Sequence, residues 1–180
     1  MDIYRRYGPA LLRKATRLLG NRDDALDVVQ GLFTDLFERG AVDVELPYLY
    51  RAVTNRCLTM LRDRNTHARL LHRESPALRA VVRTRCDEQV LGQDLLLKLM
   101  ERLDEATVEV LVYRYWDDLD QTEIARVMGV SRKTVVRRMA TLRAELVAMG
   151  ALSEESAARE AAQDTADTDA TDDASAGGAA

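Results

Sequence analysis

Six basic side chains, Arg126, Arg132, Lys133, Arg137, Arg138 and Arg143, crowd residues 121–146 against two acids, Glu123 and Glu145. Cations at this density suit phosphates, and arginine also pairs bidentately with guanine, worth roughly 1–3 kcal/mol of discrimination. The sequence supplies elements to hold them. Asp120 and Glu123 stand at capping-box spacing, and Ile124, Ala125, Val127 and Met128 give a short helix an inner face. Gly129 suits a left-handed turn, Val130 plugs the core, and Ser131 caps the next helix. That helix buries Val135, Met139, Leu142 and Leu146 at spacings of 4, 3 and 4. A short helix, a glycine turn and a second helix basic near its start is the geometry that docks in a major groove. Arg132, Lys133, Val136 and Arg137 are the expected base readers, and Arg143, further along, is expected to meet phosphate. A plain helical hairpin with a solvated basic face would explain the charge but not the cap, turn and core spacing together.

Two further charged surfaces precede this one. In residues 22–39, Ala25, Val28, Val29, Leu32, Phe33, Leu36 and Phe37 form one apolar stripe, leaving Asp24, Asp27, Gln30, Gly31, Thr34, Asp35 and Glu38 opposite. Gly31 in mid-helix costs about 1 kcal/mol against alanine, which points to close approach by a partner. Residues 51–73 reverse the sign: Arg51, Arg56, Arg62, Arg64, Arg69 and Arg73 stand against Asp63 alone, with Tyr48 and Tyr50 just before them. Arginines beside exposable aromatics suit unpaired DNA, whose bases stack on rings. A solvated face is the bland explanation for either surface.

Nothing in the chain reads as an active site. No nucleophile–base set, phosphate loop or pair of catalytic carboxylates stands out, so an enzyme is not expected, nor is a cofactor. Cys57, His67, His72 and Cys86 match no common zinc spacing. Two distant cysteines and a start without a secretory apolar stretch fit a reducing cytoplasm, and no apolar run approaches the roughly 20 residues of a membrane span.

The elements that must carry these surfaces are helical. Leucine, alanine and arginine are abundant, aromatics are only 5%, and no convincing alternating strand appears. The formal net charge of −4 misleads, because residues 151–180 hold one arginine against eight acids, leaving 25 basic against 22 acidic residues before them. The expected fold is all-α, with two small helical domains, 1–70 and 88–150, joined by a linker over 71–87. One or two helices are expected over 2–19, one over 22–39, and one from Pro47 to about Arg64 with Leu49, Ala52, Val53, Met60 and Leu61 inward. Further helices are expected over 87–103, 104–116 and, as a short pair, 120–148. Residues 151–180, nearly free of bulky apolar side chains, are expected to be a disordered acidic tail.

The run Asn21-Arg22-Asp23-Asp24-Ala25-Leu26-Asp27-Val28-Val29-Gln30-Gly31-Leu32-Phe33 resembles region two of bacterial sigma-70 family sigma factors, most of all the extracytoplasmic-function group. Pro47 to Arg62 is similar to that group's next helix. Thr122-Glu123-Ile124-Ala125 and Gly129-Val130-Ser131-Arg132-Lys133-Thr134-Val135-Val136-Arg137-Arg138 resemble region four. The resemblance implies core RNA polymerase and promoter DNA as partners. It assigns Asp24, Asp27, Gln30 and Asp35 to the β′ coiled coil, and region four to the β flap. It points to residues 40–47 for a flipped minus-ten base, and to Tyr48, Asn55, Arg56, Arg62 and Arg64 for the opened strand. Arg132, Lys133, Val136 and Arg137 would then read the minus-35 element, and an anti-sigma factor is a further possible partner. Thr59 and Gly31 depart from the family's usual Asp and Glu, Arg137 from a small residue, and Thr141-Leu142 from Arg-Ala. A stand-alone helix-turn-helix regulator is the alternative; its recognition helix would look the same, and the acidic helix discriminates the two. No leftover apolar stripe offers the dimer interface such a regulator normally needs.

Overall fold

Asn21 starts a helix by accepting the Asp23 amide on its side chain at 2.8 Å, with Asp23 and Asp24 filling the first turn where the helix dipole favours acids. Gly40, at φ +64°, ends it: its amide bonds Phe37 O at 3.0 Å and the Ala41 amide bonds Leu36 O at 2.9 Å. The same local chemistry sets the other boundaries. The computed structural model describes residues 2–41, 44–74 and 88–172. In chain order they form α1 (Asp2–Leu19), α2 (Arg22–Glu38), α3 (Leu46–Glu74), α4 (Glu88–Met100), α5 (Glu105–Leu111) running into a π turn (Val112–Trp116), α6 (Gln121–Met128), α7 (Arg132–Ala148) and α8 (Glu154–Asp172). Among the described residues there is no strand.

The first helix falls within expectation, and two later boundaries differ from it. The segment 2–19 is one helix, continuous through Pro9, because a proline two turns in removes a single intrahelical bond. Helix α3 does not stop near Arg64 but runs on to Glu74. No proline interrupts it before Pro76, and the Asn65 amide donates across to Glu101 Oε1 at 3.1 Å rather than to its own backbone. Leu71 to Glu74 therefore belong to a helix, and the rest of the expected linker, 75–87, lies outside the described residues.

The acidic tail is the second correction. Residues 154–172 are helical, opened by the Ser153 hydroxyl accepting the Ser156 amide at 3.1 Å. Alanine-rich sequence favours helix, and polar side chains tie it down: Asp164 meets Arg143 at 2.6 Å and Arg114 at 3.5 Å, while Tyr115 donates to Glu160 at 2.7 Å. Residues 173–180 lie outside the described residues.

The core forms two clusters. The larger joins Leu11, Ala15 and Leu18 of α1, Val28, Val29 and Leu32 of α2, and Leu49, Val53, Cys57 and Leu58 of α3 to Leu96, Leu99, Val108, Leu111, Val112, Leu142 and Leu146. The two expected domains thus share one apolar cluster. The smaller comprises Val110, Tyr113, Ile124, Ala125, Met128, Val135 and Met139, the interior of the helix-turn-helix, with Tyr50 packed against it from α3.

Candidate nucleic-acid interface

The turn between α6 and α7 is built as its sequence dictates. Asp120 Oδ1 accepts the Glu123 amide at 2.8 Å and Glu123 Oε2 accepts the Asp120 amide at 2.9 Å, closing the box. Gly129 takes φ 66°, ψ 35°, a left-handed position where a Cβ would be strained, and Val130 bonds back to Ala125 O at 3.1 Å. Ser131 Oγ then accepts the Thr134 amide at 3.2 Å. Val135, Met139, Leu142 and Leu146 are buried, so the register of α7 is fixed from inside. On its outer side Lys133 and Arg137 are exposed, and Val136 keeps 38% of its surface in solvent although it is apolar. Arg132 is half-buried, its Nε donating to Gln121 Oε1 at 3.3 Å, which steadies it over the first helix of the motif.

The remaining arginines of α7 serve the fold. Arg138 donates to Asp104 Oδ1 at 2.7 Å and to Thr107 Oγ1 at 3.3 Å, pinning the recognition helix to the N-terminus of α5. Burial would push the Asp104 carboxyl up, but two hydrogen bonds from Thr107 and the charge of Arg138 outweigh it and hold it below its ordinary 3.8. Arg143, expected to meet phosphate, is instead buried against Asp164 of α8. A sequence that reads as a featureless tail hid that partner.

The acidic and basic faces of the N-terminal half meet each other. Asp24 pairs with Arg64, and Asp35 Oδ2 accepts from Arg56 Nη2 at 2.5 Å, so residues expected to serve polymerase and DNA separately are ion-paired across α2 and α3. Asp27 and Gln30 stay exposed. Gly31 is where the close approach occurs: a Cβ there would sit 3.2 Å from Arg56 Nη1. The missing side chain makes room for an arginine of the same chain. Arg62 lies 3.8 Å from Glu105, and Asn55 is half-buried with its Oδ1 lacking a hydrogen-bond partner.

Phe37 is the clearest misplacement. Expected in the apolar stripe, it is 86% exposed, because Leu36 takes the inward position in the last turn before Gly40. Exposed Leu46 and the 52% exposed Tyr48 lie at the start of α3, after a connection whose residues 42 and 43 lie outside the described residues. Of the possible metal or redox group, Cys57 is buried, with burial pushing its thiol up to about 12 against the pull of Lys14, and His67 is exposed. Cys86 and the side chain of His72 lie outside the described residues. Among the described residues no three His, Cys, Asp or Glu side chains gather as a metal site would need, and no helix is long and apolar enough to cross a membrane.

A rigidly capped turn that presents cations and one apolar side chain from the first two turns of its second helix defines a helix-turn-helix DNA-binding protein. Two family models match the chain, "Sigma-70 region 2" over residues 3–67 and "Sigma-70, region 4" over residues 93–146. The RNA polymerase sigma-E factor of Streptomyces coelicolor is 31% identical over 150 residues, spanning 77% of this chain and 81% of that protein. The chain belongs to the sigma-70 family, in its extracytoplasmic-function group, as a sigma factor that directs promoter recognition and transcription initiation with core RNA polymerase.

Proposed function

We propose that promoter recognition is divided between two surfaces of this chain. Arg132, Lys133, Val136 and Arg137 of α7 read the minus-35 element, and Tyr48, Asn55, Arg56, Arg62 and Arg64 of α3 hold the opened minus-ten strand. The observation that carries this reading is the split among the arginines of α7. Half-buried Arg138 and buried Arg143 are spent on Asp104 and Asp164, while Arg137 and Lys133 stand exposed beside an apolar Val136 that fits a thymine methyl. The exposed Tyr48 supplies a ring on which an unstacked base can stack.

On α2, exposed Asp27 and Gln30, together with Asp24 and Asp35, form the surface for the β′ coiled coil, while the region-four half meets the β flap. The protein works in the cytoplasm, is not an enzyme and needs no cofactor. An anti-sigma factor that covers both surfaces would silence it. Because Asp24 and Asp35 also hold α3 arginines, the clean test is Asp27→Lys with Gln30→Lys. The double variant keeps its helicity and no longer co-elutes with core polymerase; undiminished co-elution contradicts the assignment.

A further inference from the structure

We propose that Gln121 is a positioning residue for promoter specificity: it aims the guanidinium of Arg132 at one guanine of the minus-35 element. The proposal rests on the assignment of Arg132 to that element. The inner side of α6 is Gln121, Ile124, Ala125 and Met128, the i, i+3, i+4, i+7 stripe of a short helix packed on a core. Its first place falls to a carboxamide, only 6% exposed, where an apolar side chain would be expected. A buried amide oxygen needs a donor. Arg132 supplies it, Nε to Oε1 at 3.3 Å.

Both ends of that bond are fixed through the backbone. Gln121 is the first residue of α6, held by the Asp120–Glu123 box at 2.8 and 2.9 Å. Arg132 is the first residue of α7, whose start is held by Ser131 Oγ accepting the Thr134 amide at 3.2 Å. The left-handed Gly129 and the buried Val135 and Met139 set the two helices against each other. The bond therefore spans two helix starts that keep their places. Its effect falls on a long, flexible side chain at the front of the recognition helix.

The guanidinium is a rigid planar fork, so fixing Nε fixes the direction of the whole group. With Nε engaged by Gln121, a base meets the Nη1–Nη2 edge, whose two parallel donors match guanine O6 and N7. Adenine presents its N6 donor where guanine has O6, and is refused. An arginine without this support samples many rotamers, and ordering it on DNA offsets part of what the contact contributes. It then settles on phosphate as readily as on a base, and phosphate carries no sequence. Exposed Lys133, the next residue, is a compact ammonium suited to phosphate. A carboxamide that merely finished the core of α6 would leave no trace in base preference.

The test uses the full-length chain assembled with core polymerase and selected against promoters randomised over the minus-35 element. The variants are Gln121→Met, Gln121→Glu, Arg132→Ala and Gln121→Met/Arg132→Ala, each checked by circular dichroism and a thermal melt. Methionine is the sharp choice, because it completes the apolar stripe while removing the acceptor. Arg132→Ala flattens preference at one base pair, a guanine in the wild-type profile. Gln121→Met melts no lower than wild type, yet weakens preference at that same base pair by about tenfold and moves no other. Gln121→Glu keeps an acceptor and retains the guanine. The double variant is no flatter than Arg132→Ala, because the two residues act as one unit. A wild-type profile for Gln121→Met overturns the proposal, as does an even loss across the element, the mark of a helix that has only loosened. So does a Gln121→Glu profile as flat as that of Gln121→Met. An unchanged profile for Arg132→Ala indicts the assignment of Arg132 itself, and the proposal falls with it.

Discussion

Arg137 and Arg143 are two turns apart on one helix, yet one ends in solvent and the other against a carboxylate. Their substitutions should therefore fail in different ways. Arg137→Ala should relax base preference at one minus-35 position, a loss of about 1–3 kcal/mol of discrimination, without moving the melting temperature. Selection from randomised promoters checks it. Arg143→Ala should take the cation at 2.6 Å away from the buried Asp164 and cost up to ~3 kcal/mol of stability, visible in a thermal melt. Asp104 gives a pH signature. Its carboxyl is held below the ordinary 3.8, so its contribution is complete above that value and is lost as pH falls through the lowered folded value. Urea midpoints measured between pH 7 and pH 3 should fall less steeply for Asp104→Asn than for wild type. The outward set on α7 was legible in the sequence because a capped turn and a 4-3-4 core fix which way each side chain points. The pairings of Arg138 and Arg143 were not legible, because their partners come from elements 34 and 21 residues away.

At the scale of elements, helical periodicity placed α2, α6 and α7 nearly to the residue, since each is bounded by a side-chain cap or a left-handed glycine that the sequence displays. It failed where the signal was charge. Lys14 reads as one cation in an apolar stripe, and the sequence does not show that Arg56 is the group that comes close to Gly31. Helix α8 carries no bulky apolar anchor for the sequence to display, because its inner side is Ala157, Glu160, Ala161 and Asp164. The contacts of α8 set what truncation should do. Ending the chain after Gly150 should lower thermal stability, because Arg143 loses its buried partner and Tyr115 its acceptor. Ending it after Asp172 should leave the melt unchanged. Equal melting of the two truncations and the full chain would remove α8 from the fold of the C-terminal half.

For the whole molecule, the basic surfaces are individually small and a lone recognition helix holds DNA weakly, with nonspecific affinities near ~10⁻⁴–10⁻⁶ M. On the proposed division of labour, core polymerase fixes the two halves at promoter spacing, so that each site raises the effective concentration of the other. The shared core and the polar fastenings across it were not legible from sequence, because two helical domains with complete apolar stripes read as independent units. The central claim is that the chain opens promoter DNA only as a part of the polymerase. Permanganate footprinting of a selected promoter, with the protein alone, core alone and both together, measures it directly. Reactive, unpaired thymines at the minus-ten element should appear only with both present, alongside protection of both elements. Tight, specific protection by the protein alone, with no strand opening when core is added, would contradict the account and identify a stand-alone regulator.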